Sequence, residues 1–343
     1  MNINDKIKRA AAMKAYDFAD KDPVNNIPRL LEKLAASASG DAAAKLREAG
    51  AQFVVPGSAL RELTLGVWRD VDEGERRRLA ENAAGWALCG VQTQKKAGEK
   101  YGCVIPQAIA LDSSVSGCEL ELLDSVVSCG EELGCSAYIL AGSEPLARRK
   151  DVALLCSRHR DSIFVAFTGG APINEAFAEA MLSTGNLVPL VDISGFEKGA
   201  DSKALGAMEL LSRKKLLFGV FCRYDGENAV TVCSGEYFDA IIKLGAKLAC
   251  YLPASPDERF VSVDRRIREE RRRKPLAAID FGRDGEFERM TGGGGVLVID
   301  AAGNAEGIPG ANVKDAGLAA ALGNAEVRRK MSRGNIAGRI PLR

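Results

Sequence analysis

Residues 137–168, AYILAGSEPLARRKDVALLCSRHRDSIFVAFT, contain the unit that decides the fold. The run SAYILA at 136–141 is short, apolar and of strand length. RKDVALLCSRHR at 149–160 then spaces its apolar residues as a helix does, and SIFVAF at 162–167 is a second buried strand. Two apolar strands joined through a helix form a parallel pair, because a parallel connection must carry the chain back across the sheet.

The unit repeats in both directions. Upstream, VIPQAIAL at 104–111 precedes the helical ELELLDSVVSCGEELG at 119–134. Downstream, the strands LVPLVDI (187–193), LLFGVFC (216–222), KLACYLP (247–253) and LAAIDF (276–281) alternate with helical patterns. Six strand–helix repeats before the last strand predict an α/β fold whose parallel sheet forms a barrel or partial barrel and not a short open sheet. Before it, residues 1–104 read as helical throughout, with Asp72 or Glu73 at the start of the longest pattern. Beyond it come Gly292 to Gly295, a strand VLVID at 296–300, the turn AAGNAEG and a polar tail. The expected organisation is a helical extension over 1–104, a barrel over 105–285 and a C-terminal extension over 286–343.

Composition narrows the function classes. Apolar residues are 46% and charged residues 27% of 343, enough for a sizeable core. Lys and Arg number 47 against 46 Asp and Glu, so no net field draws the chain to nucleic acid or an anionic membrane. No apolar run approaches the ~20 residues of a membrane span, and the first residues lack a signal core, so a cytoplasmic location is expected. The basic stretch RRIREERRRK at 265–274 has no aromatic platform and two glutamates, and reads as a solvated helix face.

The single histidine, His159, excludes zinc sites that need several imidazoles, and it reads as a solvated residue at a helix end. Nine cysteines form no C-x-x-C pair. The nearest two, Cys129 and Cys135, have five residues between them, and Cys129, Cys156, Cys222 and Cys250 read as small buried hydrophobes.

In such folds the chemistry sits at the C-terminal ends of the strands. There stand Asp112 to Cys118, Gly142-Ser143-Glu144-Pro145, Thr168-Gly169-Gly170, Asp192 with Ser194, and Arg223 to Asp225. Glu144 reads equally as a ligand-binding carboxylate and as a turn cap. The Thr168 turn reads as an ordinary strand-to-helix connection. Asp192 and Asp225 are candidate paired acids, and Arg223 and Tyr224 candidate anion contacts.

These strand ends carry a resemblance. YILAGSEPLARRKDVALLCSRH resembles the Gly-Gly-Glu-Pro strand of radical S-adenosylmethionine (SAM) enzymes, and FVAFTGGAPINEAFAEAML resembles their next unit, F-T-N-G-T-x-I. LVPLVDISGFEKGAD, KKLLFGVFCRY and LGAKLACYLP are similar to their fourth, fifth and sixth strands. KDPVNNIPRLL and EKYGCVIP match a subgroup with a helical N-terminal extension, and the likeness spans roughly residues 15 to 310. It implies a partial (βα)6 barrel with SAM at its mouth, near Gly142, Ser143, Glu144, Pro145, Thr168, Asp192 and Ser194. It also implies a C-x3-C-x2-C loop after the first strand, whose three thiolates hold a four-iron cluster. Here that place reads ALDSSVSGCELELLDSVV, with Cys118 as the one residual candidate ligand.

Other family positions differ too. Ser143 replaces a Gly, Gly169 an Asn, and Asp192 and Ser194 align with the family's Ser and Glu. The expectation is a radical-SAM-like protein without its cluster, with no resident cofactor, acting as a non-catalytic scaffold, partner or regulator of an active relative. Its mouth is expected either to stand open or to be plugged by the N-terminal helices. Two other readings stay open: an enzyme using SAM or another metabolite, including one with cluster cysteines of unusual spacing, and a ligand-binding module without chemistry.

Overall fold

The structure is a computed structural model that describes residues 3–113, 119–254, 261–281 and 295–331. Six helices come first: α1 (Ile3–Lys21), α2 (Pro23–Ser37), α3 (Gly40–Val54), α4 (Ala59–Asp70), α5 (Glu73–Gly85) and α6 (Val91–Tyr101). A π-helical turn, Trp86–Gly90, joins the last two. Asp72 caps α5 by accepting from the Glu75 N–H at 3.0 Å, as its place before a helical pattern predicts.

Strands and helices then alternate: β1 (Ala108–Asp112), α7 (Leu120–Glu132), β2 (Ala137–Ala141), α8 (Arg149–Arg158), β3 (Ile163–Thr168), α9 (Glu175–Thr184) and β4 (Leu187–Asp192). They continue with α10 (Ser202–Arg213), β5 (Gly219–Tyr224), α11 (Ala229–Val232), α12 (Gly235–Lys243), β6 (Leu248–Pro253), α13 (Val261–Arg271), β7 (Ala277–Asp280) and β8 (Val296–Ile299). Three short helices follow, α14 (Val313–Ala316), α15 (Leu318–Gly323) and α16 (Ala325–Met331).

All strands pair in parallel, in the order β7-β6-β5-β4-β3-β2-β1-β8. The sheet is the curled partial barrel expected from the alternating pattern. It has eight strands, one more than the seven of the alternating pattern, because VLVID is a sheet member. Ala108 to Leu111 pair with Val296 to Ile299, so the strand expected in a C-terminal extension forms the edge beside β1.

Strand alternation divides the core in two. One face meets the helices through Tyr138, Phe164, Leu140, Val220 and Tyr251. The concave face has its own apolar cluster, including Ala110, Ile139, Phe167, Leu190, Phe221, Cys250, Leu252 and Val298. Phe167 and Phe221 meet there edge to face, with ring centres 4.9 Å apart. The barrel interior is thus filled with side chains below its mouth.

The N-terminal helices meet the sheet at the opposite end. Strand starts leave backbone groups without sheet partners, and buried polar side chains from the helices supply them. Asn82 of α5 donates to the carbonyls of Arg160 (2.9 Å) and Ser162 (3.0 Å), just before β3. Gln94 of α6 donates at 3.2 Å to Pro106 O and Gly134 O, before β1 and β2. Glu75 accepts from the Leu217 N–H at 2.8 Å, before β5, and Asp70 pairs with Lys247 at 2.7 Å, before β6. These contacts anchor the extension at the base, so of the two arrangements expected for the mouth, open or plugged by these helices, they do not support the plug.

Candidate functional site

Two strand ends are stapled together at the mouth. Gly142 leaves β2 with φ +126°, a left-handed backbone that suits only glycine. The chain then turns so that Glu144 faces the end of β3, where its Oε2 accepts from the Gly169 N–H at 2.9 Å. Its Oε1 is buried and has no hydrogen-bond partner. Pro145 is buried and opens a 3₁₀ turn over Pro145–Arg148, while Ser143 is exposed.

Thr168 is buried, and its Oγ1 accepts from the Gly170 N–H at 3.0 Å. The turn after β3 therefore spends its Gly169 and Gly170 N–H groups on Glu144 and Thr168. Gly170 has φ +88°, and a Cβ there would sit 2.9 Å from the Cβ of Ala207 on α10.

The end of β4 is tied to β5. Asp192 Oδ1 accepts from the Ser194 N–H at 2.7 Å, and its Oδ2 lies 3.8 Å from the Arg223 guanidinium. Ser194 Oγ accepts from the Arg223 N–H at 2.8 Å. Asp192 pairs with Phe221, and Arg223 with Leu252, so alternation puts both charges on the concave face.

Two other candidates point elsewhere. Asp225 turns into its own loop and accepts from the N–H groups of Glu227 and Asn228 at 2.8 and 3.3 Å, so it is not paired with Asp192. Tyr224 is buried on the helix side, where its hydroxyl donates to Asp280 at 2.7 Å, so it is no anion contact of the mouth. Asp112 ends β1 on the concave face beside Ala141.

His159 is buried, not solvated at a helix end. It is only 7% exposed, with Nδ1 3.1 Å from Glu131 and Nε2 3.3 Å from Asp124 of α7. Burial pulls its pKa down, but the hydrogen bonds and charges of Glu131 and Asp124 outweigh that and raise it above 6.5. A helix-end position gave no hint that α7 would present two carboxylates there.

The cysteines Cys89, Cys103, Cys135, Cys156, Cys222, Cys233 and Cys250 are buried and unbridged, and Cys129 is half-buried. Cys135 donates its thiol to Pro106 O at 3.0 Å, at the base of the barrel. Burial pushes the thiols of Cys135, Cys222 and Cys250 up to about 12. Among the described residues, no three His, Cys, Asp or Glu side chains converge as a metal site would require. Cys118 and Gly292 to Gly294 lie outside the described residues. The connection from β1 to α7 spans residues 113–119, and its one cysteine is Cys118.

The basic stretch at 265–274 forms part of α13 and its exit turn. Arg268 pairs with Asp264, Lys274 with Asp239, and Arg271 donates to Ala278 O at 3.1 Å.

The overlooked polar residues are those of the base. Glu75 and Asn82 lie seven positions apart and so share one helix face, a spacing visible in the sequence.

No protein-family model and no curated protein matches this sequence. Solved structures do. Streptococcus suis SuiB is similar with a TM-score of 0.55 at 10% identity, over 75% of this chain and 73% of that one. SuiB bound to its precursor peptide SuiA aligns with a TM-score of 0.54 at 10% identity, over 75% and 72%. SuiB bound to S-adenosylmethionine aligns with a TM-score of 0.54 at 10% identity, over 74% and 70%. At that identity the likeness is one of fold, and the fold is the radical-SAM-type partial barrel that the strand-end motifs resemble. No helix among the described residues is long and apolar enough to cross a membrane.

Proposed function

We propose that this chain is a radical-SAM-like protein that has lost its iron–sulfur cluster and works without radical chemistry, as a scaffold or partner of an active relative. One observation carries the reading. The segment that would hold a cluster is confined to residues 113–119 and contains a single cysteine. Three thiolates are needed to hold a four-iron cluster with one open iron. Four of the other thiols do not fit that demand. Cys103 and Cys135 lie toward the base, and the thiols of Cys135, Cys222 and Cys250 are buried and held protonated.

Iron and sulfide analysis after anaerobic reconstitution tests the proposal. Near-zero iron per chain is the expected result. About four irons retained through gel filtration would overturn it. Affinity capture of an active relative, lost when the capturing chain is unfolded, would support the scaffold role.

A specific observation favours a second reading, a small-molecule site at the mouth. Glu144 Oε1 is a buried carboxylate oxygen without a partner, and such a group favours a ligand that brings a donor. The amino group of SAM is one candidate donor, with Asp192 and Ser194 available to a polar ligand across the mouth. SuiB, which shares the fold, is known bound to S-adenosylmethionine and to a peptide. Calorimetric titration with SAM, repeated on Glu144→Ala, separates the readings. Saturable heat lost in the variant supports this site, and no heat in either leaves the scaffold alone.

A further inference from the structure

A cleft of about 780 Å³ opens between the helices on the outer side of the barrel. Its walls are the turn after β4, helix α10, and helices α11 and α12. Phe196, Leu205, Tyr237, Ile241 and Leu244 make the lining predominantly apolar. The volume lies in the range of sites that enclose a small organic ligand, about 300–1,000 Å³.

The polar groups of the cleft are uneven in sign. Two carboxylates, Glu197 and Glu209, face one cation, Lys243. Glu197 is under-satisfied. Its Oε1 receives only a long contact from Asn228 Nδ2 at 3.5 Å, and its Oε2 is shielded from solvent with no partner. The Tyr237 hydroxyl donates to Ile193 O at 3.1 Å, which locks the ring, and the Cys222 thiol lies 3.8 Å from the same oxygen. Phe196 and Tyr237 also bring aromatic rings to the lining, and ring faces attract cations. Burial raises the Tyr237 phenol strongly, Cys222 and Tyr251 add to the rise, and the Glu197 carboxylate adds least.

We propose that this cleft is a binding site for a small hydrophobic ammonium, whose apolar body lies between α10 and α12 and whose charged nitrogen meets Glu197. Engagement turns the carboxylate from its shielded position toward the cleft, where it gains the donor it lacks. Neutral ligands of the same shape fill the apolar part but leave Glu197 under-satisfied. None of the mouth residues Glu144, Asp192 and Ser194 lines the cleft.

Calorimetry with phenethylammonium and its neutral counterpart 2-phenylethanol tests this on the full chain at neutral pH. The ammonium is expected to bind about tenfold more tightly than the alcohol, the effect of one charge-assisted hydrogen bond. Glu197→Gln keeps the Oε1 acceptor and should erase that preference while sparing the alcohol. Ala240→Trp, which places a large side chain in the cleft from the exposed side of α12, should abolish both. Both variants are checked by circular dichroism for a wild-type melting transition. Equal affinity of the two probes, no saturable ammonium binding, or tight ammonium binding that survives either folded variant would each overturn the proposal.

Discussion

Replacing Glu75 with glutamine should change how the stability of this protein depends on pH. Glu75 is 0% exposed in the contact between α5 and the barrel base. Its Oε2 accepts from the Leu217 N–H at 2.8 Å, and its Oε1 is buried without a partner. Burial pushes its carboxyl from 4.5 up to about 8, against the lowering effect of the Leu217 bond. Between these two values the folded chain keeps a proton that the unfolded chain releases. The contribution is complete below pH 4.5 and is lost as pH rises to about 8. The slope is about 1.4 kcal/mol per pH unit, so the loss is about 3 kcal/mol by pH 7 and about 5 kcal/mol, as an upper bound, over the whole window.

Glutamine keeps the carbonyl acceptor for Leu217 and cannot ionise. Urea unfolding of both proteins at pH 5, 6, 7 and 8 measures the difference directly. The variant should gain on the wild type with every unit, by a total of a few kcal/mol at pH 8. Parallel stability profiles would refute the reasoning, because they would mean that water or a rearranged loop already solvates the carboxylate.

Other consequences follow from the same geometry. His159→Gln should remove a pH dependence of opposite origin: the pairing with Glu131 and Asp124 is fully present below pH 6.5 and is lost as pH rises through the raised folded value, so stability curves of variant and wild type should converge at alkaline pH. Gly170→Ala forces a left-handed residue and a 2.9 Å contact with Ala207, and should lower stability by about 2 kcal/mol, read as a lower urea midpoint with unchanged slope. Asn82→Ala removes donors from Arg160 O and Ser162 O, with an expected loss of about 1–3 kcal/mol and faster proteolysis between α5 and β3; unchanged protection would count against the base contact. Iodoacetamide at pH 8, followed by peptide mass analysis, should leave Cys135, Cys156, Cys222 and Cys250 unmodified while the chain is folded, and rapid labelling of Cys135 would contradict its burial.

The barrel was legible because each strand from β1 to β7 is an apolar run bounded by a helical pattern, and burial on both faces requires that composition. β8 was visible as a strand, but its place beside β1 was not, since no local feature of VLVID specifies which edge it joins. The strand-end residues were legible as a group, because parallel strands deliver their C-terminal ends to one side. Their pairings were not. Glu144 meets Gly169 across 25 positions and Asp192 meets Arg223 across the β4–β5 connection, and each contact depends on strand register.

Periodicity and composition act over a few neighbouring residues, and by themselves they determined the alternation of strands and helices and the helical start. Tertiary structure alone decided which end of the barrel the N-terminal helices cover, that His159 is buried between two carboxylates, and that Tyr224 faces Asp280 instead of the mouth. Those outcomes depend on which buried backbone and side-chain groups find partners, and the partners here lie from 28 to 142 residues away in the chain.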